Sequence, residues 1–158
     1  MSDWKTLLVS DDAGLERIFT TARTVAVLGA KAGDDQPAFY VPAYLAARGY
    51  RILPVNPTLA GSLFGEPVAP TLADLGEPAD VIDVFRRPEF LVGHAREILL
   101  LPWRPAAVWF QLGIRHDGAA EILARAGLLV IQDRCMMPEH RRLIGGMRDA
   151  PPQTNQIA

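Results

Sequence analysis

Short runs of apolar residues alternate along the chain with longer segments of helical periodicity. Five of these runs predict strands, because near-continuous apolar runs rich in β-branched residues are typical of parallel strands covered on both faces. The predicted strands are residues 24–29, 50–56, 80–85, 106–113 and 128–133. Amphipathic spacing and terminal glycines predict helices at residues 13–22, 37–48, 88–101 and 117–126. The Pro- and Gly-rich stretch 56–78 predicts a loop with a short turn of helix near residues 72–75.

This alternation of strands and helices predicts one α/β domain over residues 1–144, with the N-terminal helix included. Right-handed βαβ crossovers would join the strands into a Rossmann-like, doubly wound sheet of about five parallel strands, with helices on both faces. Residues 145–158 are rich in Gly, Pro and Gln and show no periodicity. We expect them to form a flexible tail.

The composition narrows the kinds of partner that the domain can have. A net charge of −2 gives no general attraction to nucleic acid or to anionic membranes, so we expect neither as a partner. No secretory signal precedes the first helix and no apolar run is long enough to cross a bilayer, so cytoplasmic localisation is expected. The single cysteine, Cys135, excludes an internal disulfide, and with only three histidines there is no metal-binding signature.

The rule for ligand sites in doubly wound sheets identifies the candidate site. Ligands bind outside the carboxyl ends of the strands, where the strand order reverses. The residues at these ends are Gly29, Ala30 and Lys31; Asn56 and Pro57; Phe85, Arg86, Arg87 and Pro88; Gln111, Gly113, Arg115 and His116; and Asp133, Arg134 and Cys135. Cationic side chains are concentrated here although the whole chain is negative. This concentration predicts a local anion site.

The turn after the first strand has the position of a nucleotide-binding glycine turn but not its full pattern. A G-x-G-x-x-G fingerprint that starts at Gly29 needs glycine at positions 31 and 34, where the chain has Lys31 and Asp34. Gly29 can still form the tight turn, and the helix that begins near Pro37 can offer its N-terminus to a phosphate. Taken alone, this turn is better interpreted as an ordinary strand-to-helix connection.

The end of the second strand bears on which nucleotide could bind. Folds that bind NAD usually carry Asp or Glu there, about 20 residues beyond the glycines, to bind the ribose 2′-hydroxyl. The sequence after Val55 is Asn56, Pro57 and Thr58, without a carboxylate, which disfavours NAD. NADP would need an arginine at this point, and the arginines come one strand later.

Five motifs in the chain resemble those of the small stand-alone CoA-binding proteins. The motifs are TVAVLGA, YVPAYLAARGYRILPVNP, DVIDVFRRPE, WFQLGI and DRCMMPEH. This family is related to the CoA-binding N-terminal domain of the succinyl-CoA synthetase α subunit and of NDP-forming acyl-CoA synthetases. The resemblance covers roughly residues 18–143, nearly the whole chain. The chain departs from the family in the first turn, where Lys31 stands in place of a frequent serine.

The resemblance implies coenzyme A as the cofactor. CoA carries a 3′-phosphate, and the planar guanidinium of arginine suits such an oxyanion. We therefore expect the pair Arg86 and Arg87 to bind the adenosine-end phosphates, through one of the two more than through both. The alternative is a solvated pair, with one arginine bridging to Glu89 or to Asp83. The predicted cofactor contacts are Gly29, Ala30, Lys31, Asn56, Pro57, Phe85, Arg86, Arg87, Gln111, Gly113 and Arg134.

No set of residues in the sequence forms a convincing catalytic constellation. We expect Cys135 to be a core or rim cysteine, Glu139 and His140 to cap a helix or form ion pairs, and Trp109 to pack in the core. The related ligases use a phosphohistidine and a nucleotide-grasp domain, neither of which fits in this chain. The favoured hypothesis is a non-catalytic module that binds CoA or an acyl-CoA.

Two further hypotheses remain open: an NAD(P)-dependent oxidoreductase, and a CoA-binding subunit of a separately encoded acyl-CoA ligase. The sequence also leaves open whether the chain forms a homo-oligomer.

Overall fold

A five-stranded parallel sheet forms the centre of the computed structural model, which describes residues 3–145. These residues form seven strands: β1 (Thr24–Leu28), β2 (Arg51–Val55), β3 (Ser62–Leu63), β4 (Glu66–Pro67), β5 (Val81–Val84), β6 (Ala107–Phe110) and β7 (Leu129–Ile131). The sheet order is β2-β1-β5-β6-β7, and β3 pairs with β4 in a separate small hairpin. The predicted Rossmann-like α/β fold is confirmed. The hairpin was not predicted, because its strands are too short to show alternation.

Four of the five α-helices in residues 3–145 follow the predicted ranges to within a few residues, and no range was predicted for the last one. The helices are α1 (Asp12–Thr21), α2 (Pro37–Ala47), α3 (Leu91–Leu99), α4 (Asp117–Arg125) and α5 (Met136–His140). Short 3-10 turns form at Trp4–Leu7, Leu72–Asp74 and Pro88–Phe90, and a π-helical turn forms at Arg141–Gly145. The α1 helix begins after Asp11, whose side chain accepts a hydrogen bond from the Gly14 N–H. Such a cap satisfies a backbone donor that the helix itself leaves unpaired.

The sheet is buried on both faces, which explains the near-continuous apolar runs. Helices α3 and α4 cover one face through Leu91, Ala95, Ile98, Ala120 and Leu123. Helices α1, α2 and α5 cover the other face through Leu15, Ile18, Val41, Leu45 and Met136. The strand residues alternate between these two layers, so each face of the sheet has its own apolar core.

The strand order reverses between β1 and β5. The chain passes from β1 to β2 on one side, and β5 then adds to the other side of β1. Leu28, at the end of β1, is in register with Val55 in β2 and with Val84 in β5. The carboxyl ends of these three strands therefore lie together at one edge of the sheet.

Gly29 allows the chain to turn at this edge. Its φ is +93°, and its N–H donates to the Val55 carbonyl oxygen at 2.9 Å. A Cβ atom at this position would lie 2.5 Å from the carbonyl oxygen of Phe85. Glycine is therefore required by the packing of β1 against the end of β5, independently of any ligand.

Two remaining predictions concern the ends of the chain and membranes. The predicted tail, residues 145–158, lies outside the described residues except for Gly145, which is buried at the end of the π-helical turn. Within residues 3–145, no helix combines the length and the apolar character that a membrane span requires.

We predict that Gly29→Ala destabilises the fold by roughly 2–4 kcal/mol, because it combines an unfavourable φ with an overpacked contact. Gly49→Ala is the matched control, since Gly49 also has a positive φ, +97°, but open space around the added Cβ. We expect that control to lose only about 1–2 kcal/mol. Urea denaturation of both variants measures the difference. Equal losses would show that the approach to Phe85 does not constrain the turn.

Candidate functional site

A cavity of about 330 Å³ opens at the carboxyl ends of β1 and β5, where the strand order reverses. It is lined by Lys31, Gln36, Pro37, Ala38, Phe85, Arg86, Arg87, Pro88, Gly113 and Ile114. These residues come from the turn after β1, the start of α2, the segment after β5 and the loop after β6. The fold therefore brings together three of the strand-end segments that the rule for doubly wound sheets selects, together with the start of α2.

The cavity is positively charged. Lys31, Arg86 and Arg87 line it, and none of the lining residues, all within the described part of the chain, is acidic. The N-terminus of α2 also borders the cavity through Gln36 and Pro37. The positive end of its dipole adds to the field of the three side chains. This arrangement suits a phosphorylated ligand, although the net charge of the protein is negative.

Arg86 is held in a defined orientation. Its Nε donates to Nε2 of His94 at 3.1 Å, and its guanidinium carbon lies 4.6 Å from the centroid of the Phe90 ring. Within residues 3–145, the two terminal Nη groups of Arg86 have no hydrogen-bond partner. Two contacts thus fix the side chain while its terminal amino groups remain available for an anion.

Arg87 is far less constrained. Its side chain is 79% exposed, and its only ion pair among the described residues is a long one to Glu89, 3.9 Å. The alternative interpretation, an ion pair with Glu89, therefore applies to Arg87. The other predicted partner, Asp83, is wrong, because Asp83 is fully buried and is hydrogen-bonded to Gln111 instead.

Asn56 and Ala30 support the first turn from beneath. The Asn56 side-chain amide donates to the Ala30 carbonyl oxygen at 2.7 Å, and its Oδ1 accepts from the Thr58 N–H at 2.8 Å. Ala30 is fully buried, and Pro57 is exposed beside this connection. Asn56 therefore ties the end of β2 to the turn after β1, and its side chain is engaged with protein on both sides.

Gln111, directly after β6, is paired with Asp83 of β5 inside the fold. It is 3% exposed, and its Nε2 donates to Asp83 Oδ1 at 2.6 Å. The other carboxyl oxygen of Asp83 is buried without a hydrogen-bond partner among the described residues. Burial raises the pKa of Asp83 to about 8. The hydrogen bond from Gln111 has the opposite, smaller effect, because it lowers this pKa. Asp83 is therefore mostly a neutral carboxylic acid at pH 7.

Arg134 lines a different cavity, of about 400 Å³, near the end of β7. Its guanidinium donates to the Ser10 carbonyl oxygen at 3.1 Å and pairs with Glu139 at 3.4 Å. Cys135 lines the same cavity, and burial raises the pKa of its thiol, so the thiol rather than the thiolate predominates at neutral pH. The structure therefore does not bring Arg134 together with Lys31, Arg86 and Arg87.

The remaining candidates have structural contacts. Trp109 is buried, as predicted, and its indole N–H donates to the Arg134 carbonyl oxygen at 2.7 Å. Glu139 forms ion pairs with Arg134 and Arg142. His140 is buried, with Nδ1 2.9 Å from the Tyr44 hydroxyl. In the part of the chain that the structure describes, no group of three or more His, Cys, Asp or Glu side chains could hold a metal ion.

The sequence did not reveal the role of His94 and Phe90. Both contact Arg86, which precedes them by eight and four positions. The two arginines before Pro88 are visible in the sequence. The acceptor of the Arg86 hydrogen bond, His94, lies one helical turn into α3. The predicted helix at residues 88–101 includes His94. The sequence does not show, however, that the Arg86 side chain contacts His94.

Comparisons with known proteins identify the family of the chain. Residues 23–141 match the model of a family described as a CoA binding domain. The chain is 32% identical over 128 residues to the protein YneT of Bacillus subtilis (strain 168), an alignment that covers 81% of this chain and 93% of that protein.

Solved structures of similar sequence share the fold. A Thermus thermophilus protein called cell-free ID.343 is 48% identical, with a TM-score of 0.81, and the match covers 85% of this chain and 100% of that one. A hypothetical protein from Pyrococcus horikoshii OT3 is 29% identical, with a TM-score of 0.80, over 86% of this chain and 94% of that chain.

The fold and the site define a Rossmann-like domain with a cationic cavity at the reversal of strand order. Since the family match spans most of the sequence, the chain belongs to the CoA binding domain family.

We predict that the buried acid at position 83 makes stability fall as pH rises. Unfolded aspartate has a pKa of about 3.9, whereas the folded pKa of Asp83 is about 8. Between these values the native state keeps a proton that the unfolded state loses. Because of Asp83, the unfolding free energy should therefore fall by up to about 1.4 kcal/mol for each pH unit between pH 4 and pH 8.

Asp83→Asn should remove this contribution, because asparagine stays neutral. Urea denaturation between pH 5 and pH 8 should show a flatter profile for Asp83→Asn than for the parent. Asp34→Asn, which changes an exposed carboxylate in the loop before α2, is the control. Parallel profiles for the parent and Asp83→Asn would contradict the assignment of a proton to Asp83.

Proposed function

We propose that the protein binds coenzyme A, with the adenosine end of the ligand in the cavity between β1 and β5. The observation that carries this proposal is the cluster of Lys31, Arg86 and Arg87 around one cavity without an acidic lining residue. CoA carries a pyrophosphate and a 3′-phosphate, and the monoester holds about 1.5 to 2 negative charges at neutral pH. A cavity of about 330 Å³ is at the small end of ligand sites. It would therefore take one end of CoA and leave the pantetheine arm outside.

The donors of the cavity match the phosphates of CoA by type. The Arg86 guanidinium offers a planar pair of Nη groups, which suits a phosphate monoester with several acceptor oxygens. Lys31 and the N-terminus of α2 supply a point charge and a helix dipole, which suit the pyrophosphate. We therefore propose that Arg86 binds the 3′-phosphate, while Lys31 and the first turn of α2 bind the pyrophosphate.

The same edge of the sheet is poorly suited to NAD. No carboxylate follows β2 to bind the ribose 2′-hydroxyl, and the Asn56 side chain at this position is engaged with Ala30 and Thr58. An arginine for the 2′-phosphate of NADP is also missing from the residues directly after Val55. These features support CoA over the nicotinamide dinucleotides.

We propose that the chain is a binding module without its own catalysis, similar to the CoA-binding domain of the succinyl-CoA synthetase α subunit. Cys135 is held as a thiol by burial and lines the other cavity, away from the arginine pair. CoA or an acyl-CoA could be the ligand, since the proposed contacts are to the adenosine end that both share. A separately encoded ligase remains the partner that such a module would serve.

The first test compares five ligands by isothermal titration calorimetry: CoA, acetyl-CoA, dephospho-CoA, NAD and NADP. We expect CoA and acetyl-CoA to bind with similar affinity, because the acyl group lies at the opposite end from the phosphates. Dephospho-CoA should bind about tenfold or more weakly, since it lacks the group that Arg86 would hold. NAD binding as tight as CoA binding would contradict the proposal.

The second test separates the two arginines. Arg86→Ala should weaken CoA about tenfold or more, which corresponds to the loss of a charge-assisted hydrogen bond of roughly 1.5–3 kcal/mol, and it should barely change dephospho-CoA. Arg87→Ala should weaken CoA less than about fivefold, because exposed charges contribute little. Arg125→Ala, at the opposite edge of the sheet, is the control for net charge. An unchanged ratio of CoA to dephospho-CoA affinity in Arg86→Ala would show that Arg86 does not bind the 3′-phosphate.

A further inference from the structure

His94 lies between Arg86 and Glu97 in a chain of hydrogen bonds. Arg86 Nε lies 3.1 Å from His94 Nε2, and His94 Nδ1 lies 2.9 Å from Glu97 Oε1. A guanidinium has donors only, so Nε2 of His94 must accept this bond. The proton of the neutral imidazole is then on Nδ1, which donates to the Glu97 carboxylate. The network thus defines one tautomer of His94.

The acceptor for Arg86 stands on a rigid element. His94 and Glu97 are three residues apart on α3, a spacing that places both side chains on the same face of the helix. Their side chains are 20% and 31% exposed. The helix itself is anchored by Leu91, Ala95 and Ile98, all buried against the sheet. The position of His94 Nε2 is therefore set by the core, whereas Arg86 belongs to the connection that leads into α3.

Two contacts together restrict the Arg86 guanidinium. The His94 bond holds one edge of the group through Nε, and the Phe90 ring lies 4.6 Å from its central carbon. The remaining donors are the two Nη groups, which form the fork that binds an oxyanion in a bidentate way. An arginine held like this loses less side-chain entropy on binding than a free one. Arg87, 79% exposed, has no comparable support within the described residues.

We propose that His94 and Glu97 are positioning residues that orient Arg86 for a phosphate monoester. His94 holds Nε of Arg86, and Glu97 holds His94 in the tautomer that can accept this bond. Neither residue is among those that line the cavity. The proposal rests on the function proposed above, in which the monoester is the 3′-phosphate of CoA.

The binding test uses two replacements of His94. His94→Phe keeps a flat ring but removes both nitrogen atoms. His94→Gln keeps an acceptor for Arg86 and a donor for Glu97 at similar reach. We expect His94→Phe to weaken CoA roughly threefold to tenfold, as for the loss of one hydrogen bond, and to leave dephospho-CoA unchanged. His94→Gln should bind CoA within about twofold of the parent.

A double-mutant cycle shows whether His94 acts through Arg86. In the Arg86→Ala background, His94→Phe should cause no further loss of CoA affinity, because the group it orients is already absent. Additive losses would overturn the proposal, since they would mean that His94 acts on the ligand by another route. Equal losses from His94→Phe and His94→Gln would also overturn it, because a general structural effect would then explain both.

The spectroscopic test needs no ligand. ¹⁵N NMR of the free protein at pH 7.5 should show the His94 proton on Nδ1, with Nε2 unprotonated, and an Arg86 Nε–H protected from exchange with water. The protection should be lost in His94→Phe and kept in His94→Gln. A proton on His94 Nε2, or an Arg86 signal that His94→Phe does not change, would overturn the proposal.

A failure of the proposed function can be distinguished from a failure of the proposed role of His94 and Glu97. If the parent protein binds CoA and dephospho-CoA equally, the proposed 3′-phosphate contact is wrong. The spectra of the free protein still decide whether His94 and Glu97 orient Arg86.

Discussion

The close approach of Gly29 to the carbonyl oxygen of Phe85 is the constraint on which the rest of the site depends. It lets the chain turn away from β1 directly beside the end of β5, with no side chain between the two backbones. The turn then leads to the start of α2 on one side of the cavity, while Phe85 leads to Arg86 on the other. A Cβ atom at position 29 would lie 2.5 Å from the Phe85 carbonyl oxygen, so the two backbones can approach this closely only with glycine here.

The site combines a buried neutral layer with a charged rim. Asp83 in β5 and Gln111 after β6 form a buried polar pair, and burial raises the pKa of Asp83 to about 8. An ionised carboxylate here would carry a large desolvation cost. At the rim, Lys31 and Arg87 are exposed and Arg86 is partly buried, in a protein of net charge −2. The local field therefore arises from placement and not from overall composition.

The sequence predicted the sheet well because its strands are apolar on both faces, which makes each run continuous and easy to delimit. It also placed Arg86 and Arg87 at a strand end. It could not distinguish the two arginines, since their difference arises from tertiary contacts with His94 and Phe90. It also grouped Arg134 with them, because every parallel strand ends at the same edge. In the actual sheet order, β7 is two strand spacings from β5, which precedes Arg86 and Arg87, or about 10 Å at 4.8 Å each, and Arg134 lies in another cavity.

The most direct test of the account is a crystal structure of the protein with CoA. We expect the adenosine end of CoA to lie between the carboxyl ends of β1 and β5. The 3′-phosphate should lie within hydrogen-bonding distance of the Arg86 Nη groups, and the Arg86 bond to His94 should be retained. A CoA molecule whose 3′-phosphate contacts Arg134 and Arg115 in the cavity near β7, with Arg86 left unliganded, would contradict it.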